Sequence, residues 1–299
     1  MPGSTIAAVE RHTGLSKDVL RVWERRYGFP KPDRDAGGDR FYPDEQVERL
    51  QLIKRLLDQG HRPKNLIQAS ADELKALIAQ RRKPGVRESE SDERVLAELL
   101  DLLKRHDAGR FQQALQYDLA KQGLQHFVQD TLIALACRVG EAWESGALEI
   151  FEEHLFTEVA ARILRQAIGA LPAGIRRPRV VLTTAPEEQH ELGLLMFEAL
   201  LALEGAECIS LGARMPLRDI GLAASAHRAD VLALSFSGAY PCRQHLDVPR
   251  QLRELLPPEI AIWAGGAGAL KLAKTEGVLV LETFDEGLRA LADWKSRQL

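Results

Sequence analysis

The period of the hydrophobic pattern changes twice along the chain. Up to residue 78, short helix-like stretches alternate with turns, and from 93 to 171 apolar residues recur at helical spacing. After 178, short continuous apolar runs alternate with amphipathic stretches. The pattern predicts three domains, 1–78, 93–171 and 178–299, and a charged linker containing Pro, Gly and Ser at 79–92.

The middle segment predicts a four-helix bundle. Each predicted helix carries one apolar face, and such faces are buried when helices pack side by side. Gly109, Gly123 and Gly146 are expected to break the helices from one another. The helical spacing is carried by Leu96, Leu99, Leu100 and Leu103, by Phe111, Leu115 and Leu119, and by Leu155, Val159 and Ile163.

The third segment predicts an α/β domain with a doubly wound, flavodoxin-like parallel sheet. Its apolar runs are too continuous for strands with one face in water, so the sheet is expected to carry helices on both faces. The predicted strands are 179–185, 207–212, 230–236, 260–266 and 278–281, and the predicted helices are 192–204, 216–228 and 285–297.

The first segment predicts an all-α winged helix-turn-helix. A first helix over 5–11 is followed by a turn at Gly14, and Ser16 is a good N-cap for a second helix that runs to about Tyr27. Apolar side chains share one face of the second helix and cationic ones another, as in a helix that lies in a major groove. Gly37-Gly38 predicts a hairpin, which makes 34–42 a β-wing beside the phosphates. The predicted DNA-facing residues are Lys17, Arg21, Arg25, Arg26, Arg34, Arg40 and Tyr42.

Charge and cysteine content agree with DNA binding by the first segment, here called the head, and with a different role for the two segments that follow. The formal net charge is −3, but residues 1–83 carry 17 basic against 12 acidic side chains and the remainder 23 against 31. A basic head favours a polyanionic partner. The three cysteines have no metal-like or redox spacing, and no apolar run is long enough to span a bilayer. We therefore expect a cytoplasmic protein with no membrane association and no zinc cluster.

Polar and glycine residues follow three of the predicted strands. His190 follows the first, Ser235 and Ser237 end the third, and Gly265-Gly266 end the fourth. Ligands of open α/β sheets bind outside the carboxyl ends of the strands, so these residues are candidates for a binding site. Taken singly, each is also an ordinary turn or surface residue. No glycine-rich phosphate fingerprint follows the first strand, which argues against a dinucleotide cofactor.

The head resembles the MerR family of transcriptional regulators. The resemblance covers about residues 4–75 and is carried by the stretch GLSKDVLRVWERRYGFPKPDRDAGGDRFYP. It implies that the second helix reads an operator, with Arg21 taking part, and that Arg40 and Tyr42 of the wing hold the DNA backbone. It also implies dimers on near-palindromic double-stranded DNA. The long coiled coil usual in that family has no counterpart before the linker.

The α/β segment resembles the cobalamin-binding domain. The resemblance is carried by E-x-H-x-x-G over Glu188, His190 and Gly193, followed by S-x-S and then GG. It implies that His190 is the lower axial ligand of cobalt and that Glu188, where the family usually has Asp, hydrogen-bonds the other ring nitrogen. The resemblance also implies that Ser235 and Ser237 line the channel for the displaced nucleotide tail and that Gly265-Gly266 lie against it.

The bundle resembles the upper cap of the CarH/LitR-type photoreceptor regulators. Trp143, Glu153 and His154 stand at the spacing of that family's W…EH signature. The resemblance implies that Trp143 packs on the adenosyl group of adenosylcobalamin, with Glu153 and His154 close by. Glu144 follows Trp143 where light sensors of the family have a histidine, which puts a bis-histidine photoproduct in doubt unless His154 takes that place.

The three resemblances together imply a light-responsive transcriptional regulator, a repressor rather than an enzyme. Its homo-oligomer, dimer or tetramer, would be held together by adenosylcobalamin and would bind operator DNA. Two alternatives stay open at this point. One is a MerR-type regulator that works through protein–protein contacts without cobalamin, and the other is a corrinoid subunit of a methyltransferase or mutase.

Overall fold

The structure, a computed structural model, divides the chain into two compact units. One comprises residues 1–86 with 144–147, and the other comprises 87–143 with 148–299. The predicted turn at Gly14, Gly37 of the predicted hairpin and most of the predicted linker lie outside the described residues. No described helix is both long and apolar enough to cross a membrane. The described residues are 3–13, 15–34, 38–58, 63–79, 90–171, 177–240, 247–272 and 274–297.

The first unit contains a helix-turn-helix followed by a small antiparallel sheet. The Ser16 hydroxyl accepts a hydrogen bond from Val19 N, which starts the second helix, and Gly28 ends that helix in the left-handed conformation with φ 69°. The elements are β1 (Gly3–Thr5), α1 (Ile6–Thr13), α2 (Lys17–Tyr27), β2 (Asp33–Arg34), β3 (Arg40–Pro43), α3 (Asp44–Asp58), α4 (Pro63–Gln68) and α5 (Ala71–Ala79).

Strand β1 was not predicted from the sequence. It takes Thr5, the expected first helical residue, and pairs with β3, so that the sheet order is β1-β3-β2. The wing strands β2 and β3 pair over Asp33–Arg34 and Arg40–Phe41, as a wing requires. A winged helix-turn-helix is therefore present, with one more strand than the pattern predicted.

The helical part of the second unit comprises α6 (Glu90–Lys104), α7 (Ala108–His126), α8 (Ile133–Glu144) and α9 (Ile150–Gly169), with a π-helical turn, Phe127–Leu132, between α7 and α8. The expected break at Gly109 is wrong. The chain breaks earlier because Asp107 caps α7 by accepting a hydrogen bond from Arg110 N. Gly123 does interrupt α7, with φ 80° and ψ 164°.

The α/β part has a five-stranded, all-parallel sheet in the order β5-β4-β6-β7-β8, which is the flavodoxin-like order 2-1-3-4-5. All carboxyl strand ends therefore lie along one edge. Helix α12 was not predicted from the sequence. The elements are β4 (Arg179–Thr184), α10 (Leu192–Leu203), β5 (Glu207–Ser210), α11 (Leu217–Ala226), β6 (Val231–Ser235), α12 (Val248–Leu255), β7 (Ala261–Gly265), β8 (Val278–Leu281) and α13 (Phe284–Ser296).

Helix α10 is buried on nearly every side because it belongs to two hydrophobic cores. Leu195 and Met196 pack with the helices of the bundle, whereas Leu194 and Leu201 pack with the sheet. A helix that is apolar all round is stable only when it is covered all round. The bundle and the sheet therefore share α10 and form one unit.

Candidate functional site

Glu188 organises the turn that follows β4. Its carboxylate is 1% exposed and accepts three hydrogen bonds, two from His190 and one from Ser237. Oε1 accepts from the His190 backbone N at 2.9 Å and from Nδ1 at 2.7 Å, and Oε2 accepts from the Ser237 backbone N at 2.8 Å. The carboxylate thus links the turns that follow two neighbouring strands, β4 and β6.

These hydrogen bonds set the charge of Glu188 and the tautomer of His190. Burial raises the pKa of Glu188, but the hydrogen bonds from His190 and Ser237 outweigh it, and the net result is a lowered pKa. An ionised carboxylate accepts a hydrogen bond from Nδ1–H, which leaves the lone pair of a neutral ring on Nε2. The His190 side chain is 48% exposed, so its ring can be approached from outside.

Thr184, the last residue of β4, holds the neighbouring loops in place. Its hydroxyl donates to the Glu188 carbonyl at 2.6 Å and accepts from Arg214 N at 2.9 Å. The Arg214 side chain in turn donates to Gln189 Oε1 at 2.6 Å. The loop carrying His190 is therefore fixed to β4 on one side and to the loop after β5 on the other.

Glycines let the loop after β7 lie directly on the loop after β6. A Cβ at Gly266, which has φ 93°, would lie 2.4 Å from the Phe236 carbonyl oxygen, and one at Gly268 would lie 2.3 Å from the Ser237 carbonyl oxygen. Gly265 is less constrained, because a Cβ there would lie 3.8 Å from its nearest neighbour, the Leu281 carbonyl oxygen. Gly268 was missed in the sequence, although the G-G-x-G spacing was available as a signal. Backbone without side chains is therefore presented beside Ser237.

Gly193 and Ser235 also meet. A Cβ on Gly193, in the first turn of α10, would lie 3.8 Å from the Ser235 hydroxyl oxygen, which is ordinary contact. The structure thus brings the predicted residues that follow β4, β6 and β7 to one edge of the sheet. One exposed imidazole on a buried carboxylate, beside bare glycine backbone, fits a cobalt corrinoid as a donor set.

Trp143, Glu153 and His154 lie at the adjoining ends of α8 and α9. Trp143 is half-buried against the bundle core. Glu153 accepts a hydrogen bond from the Thr157 hydroxyl at 2.9 Å, and its Oε2 lies 3.8 Å from Nδ1 of the exposed His154. An indole and an imidazole at one end of a bundle can pack against a planar group.

A charged cluster joins the bundle to the α/β part next to His190. Arg165 of α9 forms an ion pair with Glu191, the residue that precedes α10. Glu198, further along α10, is buried, and burial raises its pKa. Burial also raises the pKa of the neighbouring Cys208 to about 12. Sequence reasoning missed this cluster because its members are far apart in the chain.

The predicted DNA-facing cations lie on α2 and on the wing. Arg25 and Arg26 are exposed on α2, and Arg34 donates to the Gly38 carbonyl at 2.9 Å. Lys17, Arg21 and Arg40 form ion pairs within the head. Tyr42 is fully buried, and its hydroxyl has no hydrogen-bond partner among the described residues. A phosphate contact by Tyr42 stays a prediction and requires that hydroxyl to be uncovered.

Two family models match parts of this chain, both within its first 170 residues. The MerR HTH family regulatory protein model matches residues 4–72, and the B12 binding domain model matches residues 95–170. The HTH-type transcriptional repressor CarH of Myxococcus xanthus is 34% identical over 264 residues, covering 86% of this chain and 86% of that protein. The repressor CarA of the same organism is 29% identical over 286 residues, covering 94% and 93%.

One solved structure shows the same fold. The monomethylamine corrinoid protein of Methanosarcina barkeri matches 67% of this chain and 97% of its own, with a TM-score of 0.52 and 14% identity. At that identity the match supports the fold of the helical and α/β parts alone.

The fold and these matches define a class: MerR-type regulators in which a helix-turn-helix is joined to a B12-binding domain. The chain belongs to the CarH-like family of HTH-type transcriptional repressors. It is accordingly a DNA-binding transcriptional regulator with a cobalamin cofactor, and not an enzyme.

Proposed function

We propose that this regulator represses transcription as an oligomer whose assembly requires adenosylcobalamin and is reversed by light. The observation that carries the cobalamin part is the hydrogen-bonded set of Glu188, His190 and Ser237 at the carboxyl edge of the sheet. A carboxylate that fixes an imidazole through Nδ1 is the usual support of a metal-ligating histidine.

We assign the holding of the cofactor to residues from both parts of the second unit. His190 would ligate cobalt through Nε2, and Ser235 and Ser237 with the glycines after β7 would accommodate the nucleotide tail. Trp143 with Glu153 and His154 would cover the adenosyl side. Adenosylcobalamin supplies a cobalt–carbon bond that light breaks, and the protein supplies binding and orientation.

Oligomerisation would convert cofactor binding into DNA binding. Heads held together in one dimer or tetramer gain affinity through effective concentration, because each bound head raises the local concentration of the next at its half-site. Separation of the protomers would then release DNA without any change in a head's own contacts. The bundle is the natural element to respond, since it shares α10 with the sheet that carries His190.

The test combines size-exclusion chromatography with gel retardation. The full chain is run with adenosylcobalamin in the dark, after green light, and without cofactor, on a duplex selected from a randomised pool. We expect a larger species and retarded DNA only in the dark with cofactor, and neither for His190→Ala under the same conditions. Identical elution and retardation in all three states would contradict the proposal and favour the cobalamin-independent alternative.

A further inference from the structure

Three of the cations predicted to face DNA are paired with acidic side chains of the head itself. Lys17 lies 3.4 Å from Glu10, and Arg21 lies 3.3 Å from Asp18. The Arg21–Asp18 pair is well exposed and the Lys17–Glu10 pair is partly exposed, and such pairs contribute little to stability. The third pair joins Arg40 to Glu24 and is different in burial and position.

The Arg40–Glu24 contact connects the recognition helix to the wing. Glu24 lies on α2 and Arg40 on β3, and their side chains are only 27% and 28% exposed. The Arg40 Nε donates to Glu24 Oε2 at 2.8 Å, and this hydrogen bond raises the pKa of Arg40. Among the described residues, the Arg40 side chain has this one hydrogen bond, through Nε. The two terminal nitrogens of the guanidinium can therefore donate elsewhere.

We propose that Glu24 is a positioning residue for DNA binding, which holds Arg40 by Nε so that its terminal nitrogens meet a backbone phosphate. A guanidinium presents its donors in a fixed fork, so fixing Nε also fixes the direction of the other two nitrogens. A long side chain held in place before binding loses less rotamer entropy on binding.

The opposite role for Glu24 would be to compete with phosphate for Arg40. Partial burial argues against competition, because a displaced Glu24 would be left half-buried, unpaired and beside a second negative group. The carboxylate is also close enough to the buried Tyr42 to raise its pKa, after the larger effect of burial. Glu24 is thus part of the structure between α2 and the wing.

The experiment measures DNA affinity of the full chain with adenosylcobalamin in the dark, on the selected duplex and at several salt concentrations. Glu24→Ala is compared with Asp18→Ala, which removes the same charge from the same helix at a side chain that is 88% exposed. We expect Glu24→Ala to bind DNA about five- to tenfold more weakly than Asp18→Ala. The slope of log affinity against log salt concentration should be smaller by about one, as for the loss of one phosphate contact. Glu24→Asp keeps the charge but shortens the reach and should also weaken binding, whereas Glu24→Gln retains an acceptor and most of the affinity.

An Arg40→Ala background separates positioning from a general structural role. If Glu24 acts through Arg40, Glu24→Asp has no further effect in that background. A loss that persists there would overturn the proposal. So would a Glu24→Ala affinity equal to or tighter than that of Asp18→Ala together with a Glu24→Asp affinity equal to or tighter than that of the wild type.

Discussion

Replacing Glu188 with glutamine removes a buried negative charge from beneath His190 while keeping the shape of the side chain. The two carboxylate oxygens are both in use, one by His190 and the other by Ser237. A glutamine has one oxygen, so if it stays with His190 its amino group faces the Ser237 N–H and that hydrogen bond is lost. A hydrogen bond to a charged group contributes about 1.5–3 kcal/mol.

We therefore expect Glu188→Gln to lower the free energy of unfolding by about 2–3 kcal/mol at pH 7, measured by urea denaturation of the protein without cofactor. The pKa of Glu188 is lowered in the folded state, so its contribution is fully present above the ordinary carboxyl value of 4.5. The difference between wild type and variant should shrink as the pH falls below that value, through the folded pKa.

The same substitution should weaken cobalamin binding about 10- to 100-fold, because the carboxylate that orients His190 has lost its charge. Glu204→Gln, at an exposed side chain after α10, is the control and should change neither quantity appreciably. If Glu188→Gln unfolds at the wild-type urea concentration and binds cobalamin as tightly, the assigned role of Glu188 is refuted.

Three further predictions follow from the second unit. Gly266→Ala should lower the free energy of unfolding by about 2–4 kcal/mol, since a Cβ there meets the Phe236 carbonyl at φ 93°; an unchanged urea midpoint would contradict this. Iodoacetamide at pH 8 should modify the exposed Cys137 well before Cys208, whose pKa of about 12 keeps the thiol protonated; equal rates by mass spectrometry would contradict it. Because burial raises the pKa of Glu198, its ionisation costs stability as the pH rises past the ordinary value of 4.5, so Glu198→Gln should unfold at higher urea at pH 7 but not at pH 4. A variant no more stable at pH 7 would contradict that reasoning.

The sheet and the helices around it were predictable because their patterns are local. Strand β4 was expected at 179–185 and occupies Arg179–Thr184, and α10 was expected at 192–204 and occupies Leu192–Leu203. Continuous apolar runs are typical of strands buried on both faces, and this signal needs no knowledge of the partner strands. The edge at which the candidate residues meet follows from the parallel arrangement alone.

The features that were missed depend on contacts between distant parts of the chain. Gly268 is constrained by a carbonyl in another loop, and Arg40 is paired with a glutamate 16 residues away. Helix α12 is different, because its eight residues are strongly amphipathic and the local signal was available in the sequence. At Gly109 a local signal was misread, because a cap at Asp107 starts the helix and glycine is tolerated in its first turn.

The identity of the nitrogen below cobalt tests the account most directly. Protein labelled with ¹⁵N-histidine is mixed with cobalamin, desalted and reduced to the Co(II) state, and its electron paramagnetic resonance spectrum is recorded. If His190 is the ligand, the nitrogen splitting changes from a triplet in unlabelled protein to a doublet in labelled protein, and His190→Ala loses the doublet. A triplet that persists in the labelled protein, or a sample that is colourless after desalting, would contradict the assignment.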